Sequence, residues 1–185
     1  MIQVKGTAIA STLRFVRERF GAEAVAEVRG DVEPAFPASL PGEPLASAWY
    51  PFALLVALGR SAARRYGGGM TYFHREMGRA SADYAMNTVY RIFFKLGSPH
   101  FVVSRATRVW RTYYDTGEFT PRVSEPGHAV LDLSGFTEPV PELCERLIGW
   151  MSRSVELAGG KNLRSAHTLC LLRGDEVCRF EGWWE

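Results

Sequence analysis

The sequence predicts an α+β fold, with helices packed on a small antiparallel sheet, and three observations predict it. Apolar residues recur at helical spacing through most of the first 115 positions. From about residue 116 the apolar period falls to two, in two stretches bounded by turn-forming residues. One further helical pattern lies between the two strand pairs, and strand pairs joined by turns imply antiparallel pairing under helices. The 185 residues suit a single domain, with a helical part to about residue 115 and a hairpin–helix–hairpin part over about 116–185.

Ile9, Leu13, Val16 and Phe20 repeat on one helical face, and Gly21 follows as a stop. Ala22 to Val28 predicts a short second helix closed by Gly30. Pro34, Pro37, Pro41 and Pro44, spaced by small residues, make the next stretch an extended surface connection. Trp49-Tyr50-Pro51 opens a helix with Pro51 in its first turn, where a missing N–H costs little. That helix runs through Leu54, Leu55 and Leu58 to Tyr66, and Gly67-Gly68-Gly69 breaks it.

A long helical pattern rich in aromatic residues extends from Thr71 to about Leu96, with Gly78 able to divide it. It includes Tyr72, Phe73, Tyr84, Tyr90, Phe93 and Phe94. Gly97-Ser98-Pro99 ends it, and Ser98 starts another helix from Pro99 to Tyr114. Val102, Ala106, Val109, Trp110 and Tyr113 mark the buried face of that helix. Most of these rings belong in a core, and a few are placed to line an apolar cavity between helices and sheet.

Phe119, Pro121 and Val123 alternate as a strand, as do Leu131 and Leu133, with Glu125-Pro126-Gly127-His128 as the turn between them. Pro141 to Leu157 is helical, with Leu143, Leu147, Ile148, Trp150 and Met151 on or near one face, and Gly159-Gly160 closes it. Strands at about Asn162 to Leu172 and Glu176 to Trp183 complete the chain. Trp183-Trp184 reads as a cap on the sheet's own core, with an interface as the other use.

Composition excludes several functions. The formal charge of +2 gives no long-range field for nucleic acid. Arg60, Arg64 and Arg65 read as solvating one helix end. The most apolar stretch, Phe52 to Leu58, is far short of the ~20 residues that span a bilayer, and the N-terminus lacks the pattern of a signal peptide. Three cysteines make no disulfide framework, so a reducing cytoplasm is expected. There is no Gly-x-Gly-x-x-Gly fingerprint or Gly-x-Ser-x-Gly elbow, and Gly67-Gly68-Gly69 lacks the Gly-Lys-Ser/Thr ending of a phosphate loop. Glu142 and Glu145 read as solvated helix positions. Catalysis is not expected.

The densest chemistry lies between Cys144 and Cys178. All three cysteines and His167 fall within 35 positions, in the order Cys144, His167, Cys170, Cys178. Three thiols and an imidazole match the tetrahedral needs of a structural zinc ion. Buried cysteines that act as small hydrophobes fit the same spacing. Strand geometry sharpens the choice. His167 and Cys170, three apart, face opposite ways unless a bulge intervenes. Cys170 opposes Cys178 only across a three-residue Arg173-Gly174-Asp175 loop. With the commoner two-residue loop, Cys178 pairs with Leu171.

The final third also resembles a known family. Trp110-Arg111-Thr112-Tyr113-Tyr114-Asp115-Thr116-Gly117 precedes a hairpin, then come Glu142-Leu143-Cys144 and a helix with Gly149-Trp150. Cys170 and Gly174-Asp175-Glu176-Val177-Cys178-Arg179-Phe180 follow. This resembles the 4-vinyl reductase domain, related in fold to haem–nitric-oxide-binding domains and to transport-particle subunits. The opening Lys5-Gly6 and Leu13 to Gly21 are similar to a myxobacterial branch carrying that domain. The resemblance implies zinc held by Cys144, His167, Cys170 and Cys178, with His167 standing where an acidic residue is common. The haem branch uses an axial histidine and a Tyr-x-Ser-x-Arg signature. That signature is absent, so no haem is expected, and His74, His100 and His128 read as surface or core residues.

The resulting expectation is a non-catalytic sensory domain for a small hydrophobic molecule, signalling through a partner protein and forming a homodimer. A dimeric scaffold or adaptor without a small-molecule ligand is the alternative. The reductase in the family's name suggests an enzyme, but no residue pattern supports one.

Overall fold

In a computed structural model of the chain, residues 1–37, 42–67, 70–86 and 98–185 are described. A short strand, β1 (Gln3–Lys5), pairs antiparallel with β2 (Trp49–Pro51). This corrects the expected helix start at Trp49. β2 finds its partner more than forty residues away, which no local pattern reveals. Helix α2 (Phe52–Tyr66) begins only after Pro51, with the Phe52 N–H donating to the Ile2 carbonyl.

Helix α1 (Gly6–Val32) is two rods joined at Gly21, whose φ of 92° and ψ of 175° are accessible essentially to glycine alone. The stop expected at Gly21 is therefore real, as a joint. The closure expected at Gly30 is not, because the second rod runs on to bury Val32. Ile9, Leu13 and Val16 on the first rod and Val25 and Val28 on the second all face the core.

Helix α3 (Met70–Met86) covers the described part of the long aromatic pattern. The rest of that pattern, with Tyr90, Phe93 and Phe94, lies outside the described residues. The single helix expected from Pro99 to Tyr114 is two, α4 (Pro99–Val103) and α5 (Ala106–Tyr113), turning at Ser104-Arg105. Ser98 caps α4 as expected, its hydroxyl accepting from the Phe101 N–H at 3.3 Å.

Strands β3 (Glu118–Glu125), β4 (His128–Ser134), β5 (Arg164–Leu169) and β6 (Cys178–Trp183) form one sheet in the order β3-β4-β6-β5, antiparallel throughout. The register slips between Pro121 and Val123 on β3, and between His167 and Leu169 on β5. Helix α6 (Pro141–Leu157) lies between this sheet and α3. It buries Leu143, Leu147, Ile148 and Val155 in the core that also holds Phe119, Leu131, Leu133 and Phe180.

Helices α3 and α6 approach at glycines. A methyl group on Gly78 would sit 2.1 Å from the Arg146 carbonyl oxygen, and one on Gly149 would sit 1.9 Å from that of Arg75. Only a residue without a side chain permits that crossing.

Two surface readings are corrected. Glu142 is buried, with the Arg60 Nε 2.6 Å and Nη2 3.2 Å from its two oxygens. Arg64 and Arg65 do not merely solvate a helix end, since both donate to Asp31. Asp31 is held well below the usual carboxylate range, chiefly by Arg65. Among the described residues, no helix is long and apolar enough to cross a membrane.

Candidate functional site

Cys144 on α6, His167 on β5, Cys170 after β5 and Cys178 at the start of β6 converge on one point. One ligand atom from each lies within 4.8 Å of all the others. The three thiols are buried, and the Cys170 and Cys178 sulfurs are 4.0 Å apart. A tetrahedron with metal–sulfur bonds of about 2.3 Å has edges of about 3.8 Å. The His167 Nε2 is buried with no hydrogen-bond partner. An orphaned imidazole nitrogen beside three sulfurs is the donor set of a closed site for a soft or borderline ion.

The strand irregularity that such a site requires is present. His167 pairs with Phe180 but Leu169 pairs with Arg179, so Thr168 is the extra residue of a bulge. The bulge resets the alternation and brings His167 and Cys170 to the same side. Neither expected tight loop occurs. Residues 170–177 form a compact connection with a 3₁₀ turn at Leu171–Arg173 and a left-handed Gly174. The Asp175 carboxylate accepts from the Cys170 N–H at 2.6 Å, and the Leu171 N–H points to the Cys178 sulfur at 3.4 Å.

These contacts favour a thiolate at Cys178. Its thiol is drawn well below the usual range, first by the hydrogen bond with Cys144 and then by His167 and the Leu171 N–H, against the effect of burial. Cys144 is pushed up by the same pairing and by burial. Deprotonated sulfur is the form that binds metal.

Two cavities border α6. The first, about 50 Å³, is walled by Val103, Leu131, Ile148, Met151, Phe180 and Trp184. The second, about 70 Å³, lies among α1, α3, α5 and α6. Ala106, Phe119 and Trp150 border both. The first cavity and the cysteine cluster share a wall. The Phe180 ring stacks on the His167 imidazole at 4.6 Å and 8°, and Ile148 is one helical turn beyond Cys144.

Arg146 was not anticipated, although its signal was present: it lies three residues after Leu143 and four before Trp150 on a face already read as apolar. It is 8% exposed and borders the second cavity. Burial pulls its guanidinium below the usual range. Tyr114, stacked on Trp110 at 4.1 Å, is pushed up to about 12 by burial.

The remaining histidines lie elsewhere. His74 is 2% exposed with both ring nitrogens unpartnered, beside a void of about 10 Å³. Burial, with help from the charge on Arg146, lowers it to about 4. The His100 Nδ1 meets the Ser124 hydroxyl at 3.0 Å, and the His128 Nε2 meets Glu181 at 2.9 Å. Trp184 packs against the core as a cap, while Trp183 stacks on His128.

No family model and no curated protein sequence matches the chain. Solved structures do. An H-NOX protein from S. oneidensis in the Fe(II)NO ligation state is 13% identical, covers 98% of this chain and 99% of its own, and has a TM-score of 0.76. The Fe(II) unliganded H-NOX protein from K. algicida is 11% identical, with coverages of 98% and 96% and a TM-score of 0.70. A third structure, described as "Modulating Heme Redox Potential Through Protein-Induced Porphyrin Distortion", is 9% identical, with coverages of 98% and 99% and a TM-score of 0.70.

These neighbours overturn the expectation that haem has no place here, because solved proteins of this fold are described in Fe(II) states and in terms of haem. The expectation rested on a missing signature, and a fold persists at identities where signatures do not. As packed, these two cavities have no histidine or cysteine among their described lining residues, and their volumes are well below that of a macrocycle. Fold, and not sequence, is what joins this chain to the H-NOX proteins: it has their architecture along nearly its whole length.

Proposed function

We propose that the chain is a non-catalytic sensory domain of the 4-vinyl reductase kind, working as one module over residues 1–185. A small apolar molecule enters the space between helices and sheet. Cys144, His167, Cys170 and Cys178 hold a thiophilic divalent ion that pins α6 to the closing strands. The observation that carries this reading is the shared wall. Phe180 lines the first cavity and stacks on His167, so a guest pressing on that ring also presses on the ligand cluster. Coupling of two sites through one packed element is how a sensor converts occupancy into a signal. The signal passes to a partner protein or within a homodimer. Neighbours of the same fold are described in Fe(II)NO and Fe(II)CO states, which supports small-ligand sensing.

The test is thermal melting of tag-free protein with a panel of small apolar compounds and, in parallel, haem. A guest at about a hundred times its dissociation constant stabilises by about 2.7 kcal/mol. For a chain of this size that raises the midpoint by about 5–10 °C. A Soret band on adding haem would make a porphyrin the guest. If nothing shifts the midpoint and the protein is a stable dimer, the sensor reading fails and the adaptor replaces it.

A further inference from the structure

The second cavity has a mixed lining: Trp110, Leu147 and Trp150 are apolar, while Ser11, Ser81 and Arg146 are polar and linked by hydrogen bonds. Arg146 is the one charged residue among the described lining residues, and it is more than nine-tenths buried. Its contacts are to neutral groups: Nη2 donates to the Thr12 hydroxyl at 3.0 Å and to the Ser81 hydroxyl at 3.5 Å, and Nη1 reaches the Met77 sulfur at 3.5 Å.

No carboxylate answers that charge. Among the described residues Arg146 forms no ion pair, and the two acidic residues before it on α6, Glu142 and Glu145, are committed to Arg60 and Arg75. The undescribed stretches 38–41, 68–69 and 87–97 contain no Asp or Glu, so none of them can supply one. A buried charge without a counter-ion is strongly unfavourable. A guanidinium facing a partly hydroxyl-lined space is therefore poised for an anion, which it binds through two parallel N–H donors.

We propose that this cavity recognises a small organic anion, a carboxylate head on a short or monocyclic apolar body. The head takes the Arg146 guanidinium with the Ser11 and Ser81 hydroxyls beside it, and the body lies against Trp110, Leu147 and Trp150. The volume of about 70 Å³ holds roughly five water-sized groups. Movement of the Trp150 ring, which borders both cavities, would extend the room for the body. This deepens the sensory reading and rests on it, by naming the chemical class of the guest.

The test compares matched pairs in low-chloride buffer: benzoate against benzamide, and butyrate against butyramide. Affinity is read by calorimetry on the wild-type chain and on the Arg146→Met and Arg146→Lys variants. The expected result is at least tenfold tighter binding of each acid than of its amide by wild type. Arg146→Met erases that preference and Arg146→Lys keeps part of it. Acid and amide binding equally to wild type would overturn the anion proposal and leave the apolar pocket standing. Binding of neither pair, together with a silent apolar panel, would remove both. The wild-type comparison decides the matter even where a variant does not fold.

Discussion

The crossing of α3 and α6 allows a sharp test of how this fold is held. In Gly149→Ala the new methyl would lie 1.9 Å from the Arg75 carbonyl oxygen, where ordinary contact begins near 3.4 Å. The obstacle is backbone, not a flexible side-chain tip, so the helices must separate by about 1.5 Å locally. Alanine gains about 1 kcal/mol of helix propensity over glycine. Overpacking costs typically 1–3 kcal/mol, and contacts along the crossing weaken as the gap opens. We expect a net loss of about 1–2 kcal/mol, seen as a lower urea midpoint with an unchanged slope. Gly78→Ala meets the Arg146 carbonyl at 2.1 Å and should behave alike. Once either methyl has parted the helices, the second has less to displace. The double variant should therefore fall short of the summed losses by about 1 kcal/mol or more. A Gly149→Ala protein as stable as wild type would refute the close crossing on which the cavity walls depend.

Other outcomes follow from the same geometry. His74 titrates at about 4 when folded, against about 6.5 when unfolded. Between those values the unfolded chain binds the extra proton, so stability falls as pH drops through that window, by about 3 kcal/mol in all. His74→Leu should flatten this part of the pH–stability curve, and an unchanged slope would contradict it. Asp132 is 2% exposed and takes charge-assisted hydrogen bonds from Arg179 and Arg122, which lower its carboxyl. Its contribution is present above the unfolded value near 3.9 and is lost as pH falls through the lower folded one. Asp132→Ala should cost about 2 kcal/mol at pH 7, measured by denaturant titration. For the cysteine cluster, Co(II) titrated into metal-free protein should give the visible spectrum of a tetrahedral thiolate site. Cys178→Ser should weaken that spectrum and lower the melting midpoint of the metal-loaded protein by several degrees. No visible band with wild type would leave three buried thiols as packing alone.

The elements that could be read from the sequence are those whose buried face repeats locally. Helix α6 was delimited residue for residue, because Pro141 opens it and Leu143, Leu147 and Ile148 mark its face. Strands β3 and β4 were legible because alternation is a local signal. β1 and β2 were not, since three residues carry no period and their pairing is made across the whole of α1. The cysteine cluster was named from spacing and resemblance, but the bulge at Thr168 that assembles it depends on partner strand β6. Arg146 was passed over because an arginine on a helix is ordinarily solvated, and only the approach of α1 and α3 encloses this one.

The two register slips have an effect beyond placing His167. They fall on β3 and β5, the outer strands of the sheet, and β3 also carries Pro121, which has no N–H to offer. Each margin is thus irregular where another chain would have to continue the ladder, an arrangement that discourages lateral growth into fibrils. Any association between copies would be directed away from strand addition at these margins.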